Sequence, residues 1–495
     1  MTAVPVDLLI VGGGINGAGI ARDAAGRGLS VVLVEKDDLA AHTSSSSSKL
    51  IHGGLRYLEQ FEFRLVAEAL AEREILLGIA RHLVWPARFI MPHVPGLRPR
   101  WMIRAGLFLY DHLARRASLP GSQAVRLDIP PFSSGLKPQF RHGFMYSDCR
   151  VDDARLVISN AMDARRRGAE ILTRTECSAA RRDGPLWRIT LGNGREIRAR
   201  AIVNAAGPWV KQVLDARLGQ HDNDRVRLVK GSHIVLPQLY QGDHAFILQN
   251  DDRRVVFMIP YGGRHTLVGT TDVPLQGDPG DVSASDAEIE YLCRAAGRYL
   301  QQPVDPAQVV WTYAGVRPLH DDGSDNPSAV TRDYTLRVDD EAGAAPVLSI
   351  YGGKVTTYRR LAEQAMQRLQ PYFPGLGDDW TSGRPLPGAD FGTRGREQAR
   401  DALFSQYRHL PQEMLRGLFR RHGTLAHRVL EGVASVDDLG RDFGAGLQAR
   451  EIDWFIDQEW AVSAEDVLWR RTKCGLQLTE EQRQAVADYV KQRAS

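Results

Sequence analysis

The chain has 495 residues, 43% of them apolar and 25% charged, which is a soluble globular composition long enough for about three domains. Its 63 basic and 60 acidic side chains leave a net charge of +3, too small a surplus to argue for nucleic acid as a partner. Four scattered cysteines, Cys149, Cys177, Cys293 and Cys474, form neither a Cys-x-x-Cys pair nor a disulfide framework, which fits a reducing cytoplasm.

The N-terminus, MTAVPVDLLIVGGG, has no basic region leading into an apolar core and a cleavage site, so no secretory signal is expected. No apolar run approaches the ~20 residues that cross a bilayer. VDLLIV reads as a buried strand, and the following glycines put Gly12, Gly14 and Gly17 in the G-x-G-x-x-G register ahead of a helical pattern. Gly12 permits the tight turn, Gly14 lets backbone approach a pyrophosphate, and Gly17 allows close helix-to-strand packing. The helix N-terminus favours the phosphates. A second strand, LSVVLVE, ends at Glu35, where a carboxylate can accept hydrogen bonds from a ribose hydroxyl. These elements imply a dinucleotide.

The run TSSSSSK follows at 43–49. Its composition is that of a linker, yet it lies between the ribose-binding carboxylate and His52, where geometry has to be fixed, so a shaped loop is expected. In FRLVAEALAEREILLGIARHL, Leu65, Val66, Ala69, Leu70, Leu76 and Leu77 recur at helical spacing. Between Arg81 and Arg116 stand seven arginines and one aspartate, with no lysine or glutamate, and PRWMIRAGLFLYDHLARR combines an apolar aromatic face with flanking arginines. Such segments lie on anionic lipid. The strand in RARAIVNAAGPWV and the strand–turn–helix PVLSIYGGKVTTYRRLAEQAM replace the regular βα units of a nicotinamide enzyme and suggest FAD. VVFMIP and TLVGTTD read as strands of a separate substrate domain. After GLGDDWTSGRPLPGADFG the strand signal ends, and REQARDALFSQY, QEMLRGLFRR and AREIDWFIDQEW read as helices.

Taken together, GGGINGAGIARDAAGRGLSVVLVE, TSSSSSKLIHGGLRYLE, GPWV, GSHIV, GTTD, WTYAGVRPL, TRDYTL, GGKVTTYR and the tail WRRTKCG resemble the aerobic FAD-dependent glycerol-3-phosphate dehydrogenases over nearly the whole chain. The resemblance implies an α/β fold: a Rossmann-like FAD domain of the glutathione-reductase/D-amino-acid-oxidase type, an inserted α+β substrate domain and a helical C-terminal domain. The expected boundaries are 1–80, 145–225 and 330–385 for FAD, 81–144 and 226–329 for substrate, and 390–495 for the helices. It implies oxidation of sn-glycerol 3-phosphate to dihydroxyacetone phosphate with electrons passed to membrane quinone, peripheral attachment to the cytoplasmic face of the inner membrane, and a homodimer as the expected assembly. The cofactor contacts it implies are Gly12, Gly14, Ile15, Asn16, Gly17, Glu35, Lys36, Thr43, Ser44, Ser45, Ser48, Lys49, Leu50, Ile51, Cys177, Ala206, Gly207, Trp209, Gly353, Lys354, Val355 and Thr356.

The chemistry asks for phosphate-binding cations, a base for the hydroxyl proton and a cation near the flavin pyrimidine. Arginine suits phosphate because its planar fork donates two hydrogen bonds to one anion. Arg317, Arg332 and Arg56 are the candidates. Histidine is the first choice as base; His52 is favoured, with His233, at the start of a strand, as a substrate contact. Lys354 can stabilise charge on reduced flavin, and Thr270 and Tyr57 complete the substrate set. PYGGRHTLVGTTD departs from the family pattern in carrying Tyr261 and a glycine pair where relatives often have tryptophan. No second G-x-G-x-x-G and no cysteine cluster offers another redox carrier, leaving oxygen or quinone as acceptor. The competing readings are a peroxide-forming oxidase of the same architecture, a flavin-binding scaffold without turnover, and an amine oxidase, for which three arginines are the wrong complement.

Overall fold

The structure, a computed structural model, describes residues 4–94, 96–220, 226–252, 254–320, 333–340 and 343–494. The branched run at Val6–Val11 pairs in parallel with Val31–Val34 on one side and Glu196–Asn204 on the other. The sheet runs in the order Thr335–Asp339, Val347–Tyr351, Glu196–Asn204, Val6–Val11, Val31–Val34, Glu170–Leu172, with the hairpin Cys177–Asp183/Leu186–Leu191 attached. Leu8, Leu9, Ile10 and Val31 to Val34 are buried on both faces, as continuous apolar runs in a covered parallel sheet require. Helices Ile15–Gly26, Asp153–Arg166 and Tyr358–Leu369 cover one face and pack against each other. Arg22, fully buried, fastens the first to the second through Asp163 at 2.8 Å.

The second sheet runs Val273–Pro274, Val226–Pro237, His265–Gly269, Val255–Tyr261, Ala245–Gln249, Val84–Pro92, His142–Val151, Leu50–Ile51. Strand Trp311–His320 pairs with Val226–Pro237 as well. The boundary expected at 145 falls inside strand His142–Val151, which belongs to this sheet. His233 is a second correction: it lies in the middle of a 12-residue strand, opposite Tyr313, and not at a strand start. VVFMIP and HTLVG form an antiparallel pair here.

The helix over Phe63–Ile79 buries Leu65, Val66, Ala69, Leu70 and Leu76 together with Glu72 and Arg73. The three C-terminal helical segments appear at Gly395–Gln406, Gln412–His422 and Ala449–Glu459, with two apolar clusters of their own. All four cysteines are buried and free. Among the described residues no helix is long and apolar enough to cross a membrane.

Candidate active site

The turn after Val11 is shaped by two contacts that only glycine allows. Gly12 has φ +112°, and a Cβ there would stand 2.5 Å from the Ala205 carbonyl oxygen; a Cβ on Gly17 would stand 1.9 Å from the Gly12 carbonyl oxygen. The first strand, the Ala205–Gly207 turn and the helix are therefore in direct backbone contact. Glu35 closes the turn from the second strand, accepting from Gly13 N–H at 2.6 Å and Asp37 N–H at 2.8 Å. Burial raises its carboxyl above the usual range, against the pull of those two donors.

The serine loop is ordered, residue by residue. Ser44 Oγ caps the helix by accepting from Ile15 N–H at 2.9 Å, and Thr43 Oγ1 donates to the Val316 carbonyl at 2.7 Å. Ser47 donates to Asp153 at 2.7 Å, and Ser48 Oγ meets His233 Nε2 at 2.9 Å. Beneath the loop Lys49 Nζ donates to the Ser45 carbonyl at 2.6 Å and to both Asp153 oxygens at 2.8 and 3.0 Å. Burial pushes the Asp153 carboxyl up, but Lys49 and Lys473 more than offset it and hold it below the ordinary carboxylate value.

A cavity of about 610 Å³ is lined from both sheets. Of the residues expected from the sequence, Gly12, Gly14, Ile15, Asn16, Glu35, Lys36, Thr43, Ser44, Ser48, Leu50, His52, Tyr57, Cys177, Ala206, Gly207, Trp209, His233, Thr270, Arg317, Gly353, Lys354, Val355 and Thr356 line it. Gly17 is turned into helix packing, Ile51 is in the core, and Lys49 is spent on the buried ion pair. Ser45 turns its hydroxyl back to the His42 carbonyl at 3.2 Å, and Arg56 is half-buried on the turn Leu55–Gln60 without reaching the lining. These five residues are turned to other partners or lie off the cavity lining. Arg332 lies outside the described residues. Tyr261 is buried in the substrate sheet and does not line the cavity.

Among the lining residues of the second sheet, Arg317 is held by Asp272 at 2.5 Å and by Thr270 Oγ1 at 3.0 Å. His233 stacks on Tyr313 with centroids 4.7 Å apart, and burial, then Arg317 and Lys49, push its imidazole well below the ordinary value and keep it neutral. His52 donates its backbone N–H to Thr356 Oγ1 at 3.3 Å, and its ring meets the Phe257 ring edge-on at 6.2 Å. Lys354 places its ammonium 4.2 Å from the centre of the Tyr57 ring. Near Glu35, Lys36 lies over the Trp209 ring at 4.0 Å.

FAD fits this arrangement. The glycine turn is a cradle that a Cβ would fill, and the Glu35 carboxylate lines the cavity beside it. Two buried polar atoms of lining residues, Asn16 Oδ1 and His233 Nδ1, have no partner among the described residues. Asn16 also donates to the Gly352 carbonyl at 3.1 Å, tying the Gly352-Gly353-Lys354 turn to the dinucleotide fold.

Sequence reasoning missed Asp272, Asp153 and Asn16's link to Gly352. Asp272 is the last letter of GTTD, so its motif was in view without its role as the carboxylate orienting Arg317. No local pattern signals the other two, because their partners lie 104 and 336 positions away.

The model of the FAD-dependent oxidoreductases matches residues 7–359, and that of the C-terminal domain of alpha-glycerophosphate oxidase matches 380–494. Glycerol-3-phosphate dehydrogenase of Pseudomonas aeruginosa is 54% identical over 98% of this chain and 94% of its own length. D-erythritol 1-phosphate dehydrogenase of Brucella abortus is 49% identical over 98% and 97%. The crystal structure of the Bacillus halodurans glycerol-3-phosphate dehydrogenase with FAD has the same fold, with a TM-score of 0.74, 24% identity and coverage of 100% of this chain and 95% of that one. With the glycine turn, the buried Glu35 and matches over both parts of the sequence, the chain belongs to the FAD-dependent oxidoreductases, in the family that includes the glycerol-3-phosphate dehydrogenases.

Proposed function

We propose that this chain oxidises sn-glycerol 3-phosphate to dihydroxyacetone phosphate and passes the electrons to membrane quinone. The observation that carries the reading is one cavity lined both by the glycine turn with Glu35 and by Arg317, His233, His52 and Lys354. Bound FAD supplies a hydride acceptor at the N5 atom of its ring. Arg317, oriented by Asp272 and Thr270, presents donors to the substrate phosphate. His52 takes the hydroxyl proton. His233, neutral and anchored by Ser48 and Tyr313, orients the hydroxyl without adding charge beside Arg317. Lys354 offsets negative charge at the pyrimidine edge. Anaerobic addition of sn-glycerol 3-phosphate should bleach the flavin band at about 450 nm, and failure to bleach would overturn the assignment.

A second substrate is favoured by one observation: the nearly full-length relative that carries D-erythritol 1-phosphate in its name is almost as similar as the one that carries glycerol 3-phosphate. Both are phosphomonoesters of a polyol, so Arg317 serves either. Comparing kcat/KM for the two compounds decides. Oxygen uptake without quinone or dye would instead support the peroxide-forming oxidase.

The membrane reading rests on helix Arg100–His112. It buries Ile103, Leu107 and Tyr110 and turns Trp101, Met102, Phe108 and Leu109 outward, with Trp101 70% and Phe108 59% exposed. Those four fall on one helical face, flanked by Arg98, Arg100 and Arg104, which is the pattern of an interfacial helix. An anionic lipid surface at the cytoplasmic face of the inner membrane is the partner this pattern suits.

A further inference from the structure

The tail motif WRRTKCG is not explained by the oxidation itself, yet its first three residues connect through other side chains to residues that line the cavity. The stretch Asp466–Thr472 is wound as a π-helix, so Trp469, Arg470 and Arg471 leave the backbone in different directions. Arg471, fully buried, holds both carboxylate oxygens of Asp38, with Nη2 to Oδ1 at 2.9 Å, and also donates to the Glu459 carbonyl. Arg470 adds Nε to Asp38 Oδ2 at 2.6 Å and is itself braced by Asp466 at 2.5 Å. Asp38 follows Glu35 by three positions, and between them Asp37 N–H donates to the Glu35 carboxylate at 2.8 Å. The fork on Asp38 therefore fixes the backbone that aims Glu35 into the cavity.

Trp469 goes the other way. It stacks on Trp311 with centroids 4.6 Å apart and planes 20° apart; Trp311 leans on Tyr313 at 5.0 Å; Tyr313 stacks on His233 at 4.7 Å. Trp311 and Tyr313 are alternate residues of one strand, so they share a face, and Tyr313 is also bonded through its hydroxyl to the Ser47 carbonyl at 2.9 Å. His233 has little room to rotate: a Cβ on Gly269 would stand 2.1 Å from its ring.

We propose that Trp469, Arg470 and Arg471 are positioning residues of the site, Arg470 and Arg471 aiming Glu35 through Asp38, and Trp469 fixing the ring plane of His233 through Trp311 and Tyr313. The C-terminal domain thereby completes a cofactor pocket to which it contributes no lining residue among those described.

The two arms have different readouts. In the full chain, Arg471→Gln should raise the FAD dissociation constant, measured by titrating apoprotein with FAD, roughly tenfold, the effect typical of losing a supporting hydrogen-bond partner. Substrate KM at saturating FAD should stay within twofold of wild type. Arg471→Lys, which keeps the charge and loses the fork, should fall between the two, and it decides the arm if Arg471→Gln fails to fold. Trp469→Leu should leave FAD affinity unchanged while lowering kcat/KM severalfold, and Trp469→Phe, which keeps a ring to stack on Trp311, should restore most of it. This second arm rests on the proposed oxidation, which wild-type turnover of sn-glycerol 3-phosphate checks first; the FAD titration stands without it. The proposal is overturned if both arginine variants bind FAD within twofold of wild type, or if Trp469→Leu leaves kcat/KM unchanged or Trp469→Phe fails to restore it.

Discussion

Replacing Lys49 by methionine tests what shapes the serine loop. Methionine keeps the length of the side chain and removes its charge, leaving Asp153 with a side chain that is 0% exposed and no longer opposed by an ammonium at 2.8 Å. Breaking a buried pair from one side costs about 3–5 kcal/mol. Asp153 retains the Ser47 hydroxyl at 2.7 Å and the Ala154 N–H at 2.9 Å, so the lower end, about 3 kcal/mol, is the appropriate figure. An unfolding entropy of about 2 cal/mol/K per residue makes 1 kcal/mol worth roughly 1 °C for a chain of 495 residues. The expected fall in Tm, read by calorimetry, is about 3 °C. Because Lys49 also ties down the Ser45 carbonyl, flavin retained through gel filtration should drop in the same variant. Adding Asp153→Asn removes the stranded charge while keeping an acceptor for Ser47, and the double variant should recover at least half of the lost Tm. A Lys49→Met protein as stable as wild type, or a double variant no better than the single, would refute the argument that charge pairing and not side-chain volume holds the loop.

Gly17→Ala drives a methyl into the Gly12 carbonyl oxygen at 1.9 Å, so the purified protein should carry little flavin by absorbance. A Cβ at Gly231 would meet Arg317 Nη2 at 2.4 Å and Thr270 Oγ1 at 2.7 Å; Gly231→Ala should therefore raise substrate KM about tenfold, near the low end of what one charge-assisted hydrogen bond contributes, with FAD content unchanged. His82 and His233 are fully buried and held neutral, burial being the largest cause for each. The unfolded chain takes up their protons below about pH 6.5 while the folded one does not, so their stabilisation is complete above that value and declines beneath it, by up to about 1.4 kcal/mol per pH unit for each. Tm measured from pH 7.5 to 5 should fall; a flat profile would count against it. Reversing charge at Arg98, Arg100 and Arg104 should release the protein from anionic vesicles in a flotation assay without loss of dye-linked activity.

Local chemistry made much of this molecule legible. Strand Val6–Val11, the glycine register and the turn to Glu35 are specified by neighbours in sequence, and so are the helices whose apolar residues recur every three or four positions. The serine loop was misleading by composition and readable only by its flanks. Its order comes from partners at 153, 233 and 316, which no local window contains. Lys49 illustrates the limit: the family resemblance implied a cofactor contact, whereas the carboxylate that pairs with it stands 104 positions later. The sheet to which His142–Val151 belongs was obscure for the same reason, since its partners, Val84–Pro92 and Leu50–Ile51, lie far upstream.

The contact between Asp38 and Arg471 spans 433 positions, and that between Asn16 and Gly352 spans 336. Synthesis at 5–20 residues per second leaves roughly 20 to 90 s between the appearance of the two halves of the first pair. Throughout that interval the ribosome displays the nucleotide-facing turn without the residues that complete it. A nascent or prematurely terminated chain is then poorly equipped to sequester flavin, and loading becomes a late event tied to full-length product.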